Sequence, residues 1–430
     1  LPEKKMLKEL KLSHVGPAPS MELEFGERLN LITGDNGLGK SFLLDIAWWS
    51  MTRKWPAELN SSLTVGKKVR PHAKQKGEIS FCFTAKSKDE TYTSNYQPRE
   101  EAWTGRSGRP ANPGLVIYAM SDGSFAVWDP ARNYWQTKNN VDVQERRPAF
   151  VFSSSEVWDG LVDEGSVLCN GLIQDWATWQ KEDGEAFKLL KSVLKVLSPN
   201  AREAMLPGKL GKLSLDDVRD IPTITMPYKQ DVLVLHASSG MKRVMALAYF
   251  LVWAWLEHRK AAEHLGEDPT HQVVFLIDEV ESHLHPSWQR TIVPALLDVM
   301  KKLTKRPDVQ LITATHSPLI MASVEPLFDE RKDAWFDLDL EQDEVVLRKR
   351  PFLRQGDASR WLTSEAFDLG SARSLAAEQT LEQAAKILSE EVIDAELAKK
   401  LDARLRTLLG DTDPFWIRWR YVGEKQGWLQ

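Results

Sequence analysis

The sequence predicts an α/β fold with a mostly parallel sheet, an antiparallel β lobe, a helical insertion and a helical C-terminal tail. Three observations carry that expectation. First, a hydrophobic strand ending MELEFGERLNLITG, a glycine turn GDNGLGKS and an apolar helical stretch FLLDIAWWSMT follow one another, the order a phosphate-binding loop requires. Second, the runs QVVFLIDE and VQLITATHSP are apolar throughout, as strands of a parallel sheet covered on both faces are. Third, a helical stretch, PSWQRTIVPALLDVMKKL, lies between those two runs and supplies the crossover that parallel neighbours need.

Taken in order, LKELKLSHV and MELEFGERLNLITG read as an antiparallel pair. Residues 53–76 are basic and punctuated by Gly, Pro and Ser, and read as a surface loop. GEISFCFTA alternates with period two, and GLVIYAMSDGSFAVWDP is two alternating runs around Ser-Asp-Gly, a hairpin signal. RPAFVFSSSEVW reads as a buried strand ending in a serine turn. LIQDWATWQ and EAFKLLKSVLKVLSP turn helical, and Pro199 stops the second. Short strands follow, including DVLVLHASSG, and MKRVMALAYFLVWAWLEHRKAAEHLG is a long, mostly buried helix. AWFDLDLEQDEVVLRKRPF is a hairpin, and a long helix covers about 371–409. The domains expected are an N-terminal lobe at 1–165, a helical insertion at 166–230, a C-terminal lobe at 231–350 and a helical tail at 351–430.

Composition narrows the classes. A net charge of −5 gives no global basic field, so any nucleic-acid contact must be a local patch; the 53–76 segment is the candidate. Two cysteines, Cys82 and Cys169, make neither a disulfide framework nor a zinc ribbon and suit a reduced, cytoplasmic protein. No run approaches the roughly 18 apolar residues a membrane span needs, and the charged start lacks a signal-peptide core. The 17 tryptophans call for large packed or interface surfaces.

The chemistry concentrates at strand ends. Gly34, Asp35, Asn36, Gly37, Leu38, Gly39, Lys40 and Ser41 match G-x-x-x-x-G-K-[ST]. Such a loop curls its N–H groups around phosphate oxygens at a helix N-terminus. Lys40 supplies charge to the β and γ phosphates, and the Ser41 hydroxyl is a Mg²⁺ ligand; Phe42 completes the segment. Asp278, ending a buried strand, is the second metal-site candidate, and Glu279 can polarise an attacking water. Ser238, Ser239 and Gly240 open the long helix, either as a plain cap or as an anion site. His316 follows VQLITAT and can reach a γ-phosphate, or is an ordinary loop histidine. His283 and His285 in ESHLHP lack a third ligand at zinc spacing. Asp337, Asp339 and Glu341 resemble a metal-nuclease cluster, against the plainer reading as polar positions of a hairpin.

Together these motifs resemble the ABC-type ATPase head shared by SMC, RecF and OLD proteins. GDNGLGKS is similar to their Walker A loop, HASSGMKR to the ABC signature, FLIDEVESHLHP to their Walker B and D-loop, and TATHSP to the switch histidine. Met241 stands where many relatives have Glu or Gln. A Q-loop glutamine is implied, with Gln144 or the turn after FVFSS as candidates. The tail, with SEAFDLGSARS, resembles stand-alone ATPases of prokaryotic antiphage defence, of the Septu or retron-associated PtuA kind. There is no SMC-length coiled-coil arm. The resemblance implies an ATPase, possessing ATP and Mg²⁺ as substrate and cofactor, whose heads stack head to tail as a homodimer or higher oligomer. Lys40 and Ser41 of one head would hold the nucleotide while Ser238, Ser239 and Gly240 of the other close over it. Asp278 would support the metal, Glu279 activate water and His316 contact the γ-phosphate. A separate nuclease or toxin effector is the implied partner, with no membrane. The alternative is a DNA-repair or chromosome-maintenance ATPase that grips DNA through 53–76.

Overall fold

The computed structural model describes residues 6–72, 75–85, 88–105, 112–133, 146–303, 308–389 and 394–428. It divides into two units, Leu1–Gly356 and Asp357–Gln430.

In the first unit, period-two burial produces β1 (Leu7–Ser13) and β2 (Ser20–Glu24), an antiparallel pair. β3 (Leu29–Gly34) is buried along almost its whole length. The sequence reads residues 21–34 as one strand, but the structure breaks it at 25–28 and sends its halves to different sheets. The break is held by side chains: Asn30 Oδ1 accepts from the Gly26 N–H (2.6 Å) and Arg28 Nε donates to Asp333 Oδ1 (3.0 Å). After α1 (Lys40–Thr52) and the single turn α2 (Pro56–Leu59), β4 (Glu78–Thr84), β5 (Asp89–Gln97) and β6 (Ala102–Trp103) complete an antiparallel sheet of order β2-β1-β4-β5-β6.

β7 (Leu115–Ala119) and β8 (Phe125–Trp128) form the hairpin predicted around Ser-Asp-Gly, and β9 (Phe150–Phe152) extends it. Then come α3 (Glu156–Asp159), the ribbon of β10 (Leu161–Asp163) and β11 (Ser166–Cys169), α4 (Gly171–Glu182) and α5 (Glu185–Leu197). A small sheet of β12 (Leu206–Pro207), β13 (Thr223–Thr225) and β14 (Asp231–Leu233) precedes the long α6 (Ser239–Leu265). β15 (Gln272–Ile277), α7 (Pro286–Gln289), α8 (Ile292–Leu303), β16 (Asp308–Ala314), α9 (Pro318–Val324), β17 (Ala334–Glu341) and β18 (Glu344–Arg350) finish the unit. The central sheet has the order β18-β17-β3-β16-β15-β7-β8-β9. Its middle, from β17 to β7, is parallel, and its edges are antiparallel. The fold is therefore the α/β type expected, and the C-terminal ends of β3, β16, β15 and β7 open on one edge, where ligands of open α/β sheets bind.

Several tryptophans serve the interior: Trp48, Trp55 and Trp176 of this unit are fully buried, and Trp49 stacks on Trp55 with centroids 5.1 Å apart. The 53–76 segment is less of a free loop than its composition predicts. α2 lies within it, Leu63 and Val69 are buried, and the Arg53 guanidinium sits 4.0 Å over the Trp49 ring. Lys68 pairs with Glu58 and Arg70 with Glu101.

The second unit is helical: α10 (Ala358–Leu362), α11 (Leu375–Ser389), α12 (Ala395–Leu408) and α13 (Phe415–Gln426). The single helix expected at 371–409 is two, α11 and α12, which pack around Ala384, Ile387, Leu401, Leu405 and Trp419. Asp402 Oδ1 accepts from the buried Trp419 indole (3.0 Å). Among the described residues, no helix is long and apolar enough to cross a membrane.

Candidate nucleotide-binding site

The glycine turn leaves β3 at the sheet edge. Gly34 has φ 130°, and a Cβ there would collide with the Leu338 carbonyl of adjacent β17, so only glycine passes at this exit. Asp35, Asn36 and Gly37 are exposed, Leu38 is anchored in the core, and Phe42 packs against the same core. Gly39 is the N-cap of α1 and gives no side chain to the first-turn N–H groups. Those donors, at the positive end of the helix dipole, remain for an anion. Lys40 is 5% exposed, and its ammonium donates to the Gly34 and Asp35 carbonyls, 2.7 Å each. Burial lowers its pKa, which the charges of Asp278 and Asp35 partly oppose.

β15 brings Asp278 to the same edge. The carboxylate is 2% exposed and lies beside the Ser41 and Ser121 hydroxyls, which favour its charged form. Burial pushes its pKa up, and the neighbouring Glu279 adds to the shift. Its Oδ1 is buried with no hydrogen-bond partner. A buried anionic oxygen without a donor is costly and is relieved by a cation, while a carboxylate beside a hydroxyl is a hard-oxygen pair suited to Mg²⁺. The residues present therefore fit that ion.

Glu279 is half-buried and takes the left-handed conformation, φ 47°. His316 follows β16 with its ring near the Gly34 carbonyl; burial first, and the Lys40 charge second, lower its pKa. Lys40, Ser41, Asp278 and His316 thus converge on one spot. Ser238 caps α6, accepting from the Met241 N–H (3.3 Å), and Ser238 and Ser239 are exposed. Gly240 is buried against the segment after β15, where a Cβ would lie 2.5 Å from the His283 carbonyl oxygen. In one chain, therefore, this turn contacts the Walker B segment, and none of its hydrogen bonds among the described residues reaches the glycine loop.

Other candidates resolve differently. His285 caps α7, its Nδ1 accepting from the Ser287 N–H (3.3 Å), and no cluster of three His, Cys, Asp or Glu that could hold a metal occurs among the described residues. Asp337 accepts from Thr33 Oγ1 (2.7 Å) and faces Arg350 at 3.5 Å, and Glu341 pairs with Arg348; the three acids belong to the β17–β18 hairpin, as the plainer reading had it. Gln144 lies outside the described residues. The turn after FVFSS leads into α3, where Glu156 binds Ser153 and Asn60.

Three groups escaped the sequence reading. Ser121 reaches Asp278 because β7 runs parallel beside β15, with Ala119 opposite Ile277. Glu281, half-buried and with its pKa raised by desolvation, accepts from Thr315 Oγ1 (2.8 Å) and the His316 N–H. Arg243 donates to the Met120 and Asp278 carbonyls. The only local signals were the third acid in DEVES and a basic residue five places after Ser238.

A glycine loop on β3, acids on β15 and a histidine on β16, at one edge of a mostly parallel sheet, define a P-loop head of the ABC-ATPase type. The chain belongs to the family described as "AAA domain, putative AbiEii toxin, Type IV TA system", whose model matches residues 29–322. It is 24% identical over 319 residues to the Septu protein PtuA of Bacillus thuringiensis, covering 73% of this chain and 72% of that protein. It is 28% identical over 239 residues to the "Retron Ec83 probable ATPase" of Escherichia coli, covering 53% of this chain and 39% of that one. Among solved structures it is similar to the SMC head domain from Thermotoga maritima, with 15% identity, a TM-score of 0.39, and 80% of this chain and 99% of that one covered.

Proposed function

We propose that this chain binds and hydrolyses Mg-ATP between two heads stacked head to tail, and that the resulting assembly regulates a separate nuclease or toxin in prokaryotic antiphage defence. The observation that carries the reading is a division of labour. Lys40, Ser41, Asp278 and His316 gather at one place, whereas Ser238 and Ser239 stand exposed with their hydrogen bonds elsewhere. A turn of that kind is free to close on a second chain's nucleotide.

In this scheme the loop from Gly34 to Phe42 receives the phosphates. Lys40 would exchange its two carbonyl contacts for phosphate oxygens, and Ser41 and Asp278 would hold the metal. Mg²⁺, when bound, would supply charge neutralisation to the phosphates. Glu279 takes the proton of an attacking water, and His316 orients the γ-phosphate from the Gly34 side. The chemistry is positioning and electrostatic stabilisation. Because each site needs two chains, nucleotide binding also drives assembly. The defence role rests on the relatedness to the Septu and retron ATPases, and the helical second unit is the candidate docking element for the effector. The DNA-gripping alternative needs free cations at 53–76, where Lys68 and Arg70 are ion-paired and Arg53 lies over Trp49.

The test is the mass in solution, by light scattering, of the wild type and Glu279→Gln, with and without Mg-ATP. Stable ATP-driven assembly of the variant, and only transient assembly of the wild type, supports the scheme; monomers throughout refute it.

A further inference from the structure

Arg243 is an expensive residue to bury. It is 6% exposed, is in no ion pair among the described residues, and has its guanidinium 5.9 Å from the Phe125 ring centroid, with the Asp278 charge only partly offsetting its burial. Its Nη1 donates to the Met120 carbonyl (2.7 Å), its Nη2 donates to the Asp278 carbonyl (3.1 Å), and its Nε has no partner. A guanidinium without a carboxylate in such a place carries a desolvation cost that simple packing would avoid.

What it holds is the peptide entering Glu279. The backbone turns there into the left-handed region, at φ 47°, and again at His283, φ 62°; both are sparsely populated by residues with a side chain and persist where neighbours over-determine them. The segment between Asp278 and Leu284 is gripped at both ends by the first turns of α6. Arg243 binds the Asp278 carbonyl at its start, and Gly240 abuts the His283 carbonyl near its end. The same turns carry Ser238 and Ser239. A displacement of this helix start is therefore delivered directly to the backbone that aims Glu279.

We infer that Arg243 is a positioning residue that makes water activation at Glu279 depend on what the Ser238–Gly240 turn has bound. The inference rests on the proposed head-to-tail reading. It accounts for a buried cation spent on two strand-end carbonyls, and it gives the assembly a way to switch hydrolysis on only when a partner's nucleotide is engaged.

The experiment uses the full chain with Arg243→Met and Arg243→Lys, each alone and combined with Glu279→Gln. Affinity for a fluorescent ATP analogue with Mg²⁺, ATP-driven assembly of the Glu279→Gln background, kcat and KM are read together, with circular dichroism as the check on folding. The expected result is a kcat at least tenfold lower in Arg243→Met, with KM, nucleotide affinity and assembly within threefold, and partial recovery in Arg243→Lys, which keeps a donor for one carbonyl. If Arg243→Met does not fold, Arg243→Lys carries the comparison, with an expected threefold or greater loss of kcat alone. A kcat within twofold of wild type overturns the inference while leaving the head-to-tail reading intact. Parallel loss of kcat, affinity and assembly overturns it too, by making Arg243 a scaffold for the whole site. Failure of Glu279→Gln to assemble with ATP overturns the underlying reading, and the coupling with it.

Discussion

Replacing Asp278 by Asn should move stability in opposite directions with and without nucleotide. Without it, the carboxylate is a buried anion with one oxygen lacking a donor. An unsatisfied buried polar atom costs about 1–3 kcal/mol, more when charged; the amide keeps an acceptor oxygen beside Ser41 and Ser121 while shedding the charge, so a gain of about 1–2 kcal/mol is expected. Unfolding entropy near 2.1 cal/mol/K per residue gives a unit ending at Gly356 roughly 0.7 kcal/mol per kelvin. The variant should therefore melt about 1–3 °C above the wild type. With a non-hydrolysable ATP analogue and Mg²⁺ at a hundredfold over Kd, the wild type gains about 2.7 kcal/mol, or about 4 °C by the same conversion. The variant, lacking the metal ligand, should gain less than about 1 °C, a bound set by the same arithmetic. Scanning calorimetry at pH 8 reads both, and the two melting curves should exchange order on adding nucleotide. An Asn variant that melts lower than wild type without nucleotide would refute the argument, since the carboxylate would then be a structural hub for the two serines. An undiminished Mg-nucleotide shift would refute its place on the metal.

Two further outcomes follow from the same geometry. In Gly240→Ala the new methyl meets the His283 carbonyl oxygen at 2.5 Å; overpacking of about 1–3 kcal/mol should outweigh the roughly 1 kcal/mol that helix propensity returns. A Tm slightly below wild type with weakened ATP-driven assembly is expected, whereas a raised Tm would mean that the helix start and the Walker B segment are not in close approach. Asp45, on α1, accepts from the Tyr118 hydroxyl (3.0 Å), and burial, reinforced by the charges of Asp278 and Asp122, lifts its pKa to about 7. A raised acid destabilises the fold while ionised, and the penalty is relieved as pH falls through the folded value. Wild type should thus gain stability over Asp45→Asn from pH 8 to pH 5, with a slope of up to about 1.4 kcal/mol per pH unit below pH 7. Urea denaturation at each pH measures it, and parallel curves would place Asp45 in contact with water.

What could be read from the sequence was whatever is written contiguously. β3, the glycine loop and α1 form one uninterrupted string, as do the apolar runs of β15 and β16 and the Ser-Asp-Gly hairpin of β7 and β8, so local propensity and burial agree there and the elements follow. The errors lie where distant side chains decide. Nothing between Met21 and Gly34 announces that Arg28 will be held by Asp333 and the strand broken. The basic composition of 53–76 does not reveal that Glu58 and Glu101 neutralise part of it. The candidate site divides along the same line. Lys40, Ser41, Asp278 and His316 were legible because phosphate and metal chemistry requires those residue types at strand ends. Ser121, Glu281 and Arg243 were not, because they meet their partners through strand register or across a helix start. The groups recognisable by motif are those expected to touch nucleotide; the groups hidden from it hold those residues in place. Any control of this ATPase by its neighbours must then be sought in the second set, where the backbone entering Glu279 is tied to the helix that a second head would engage.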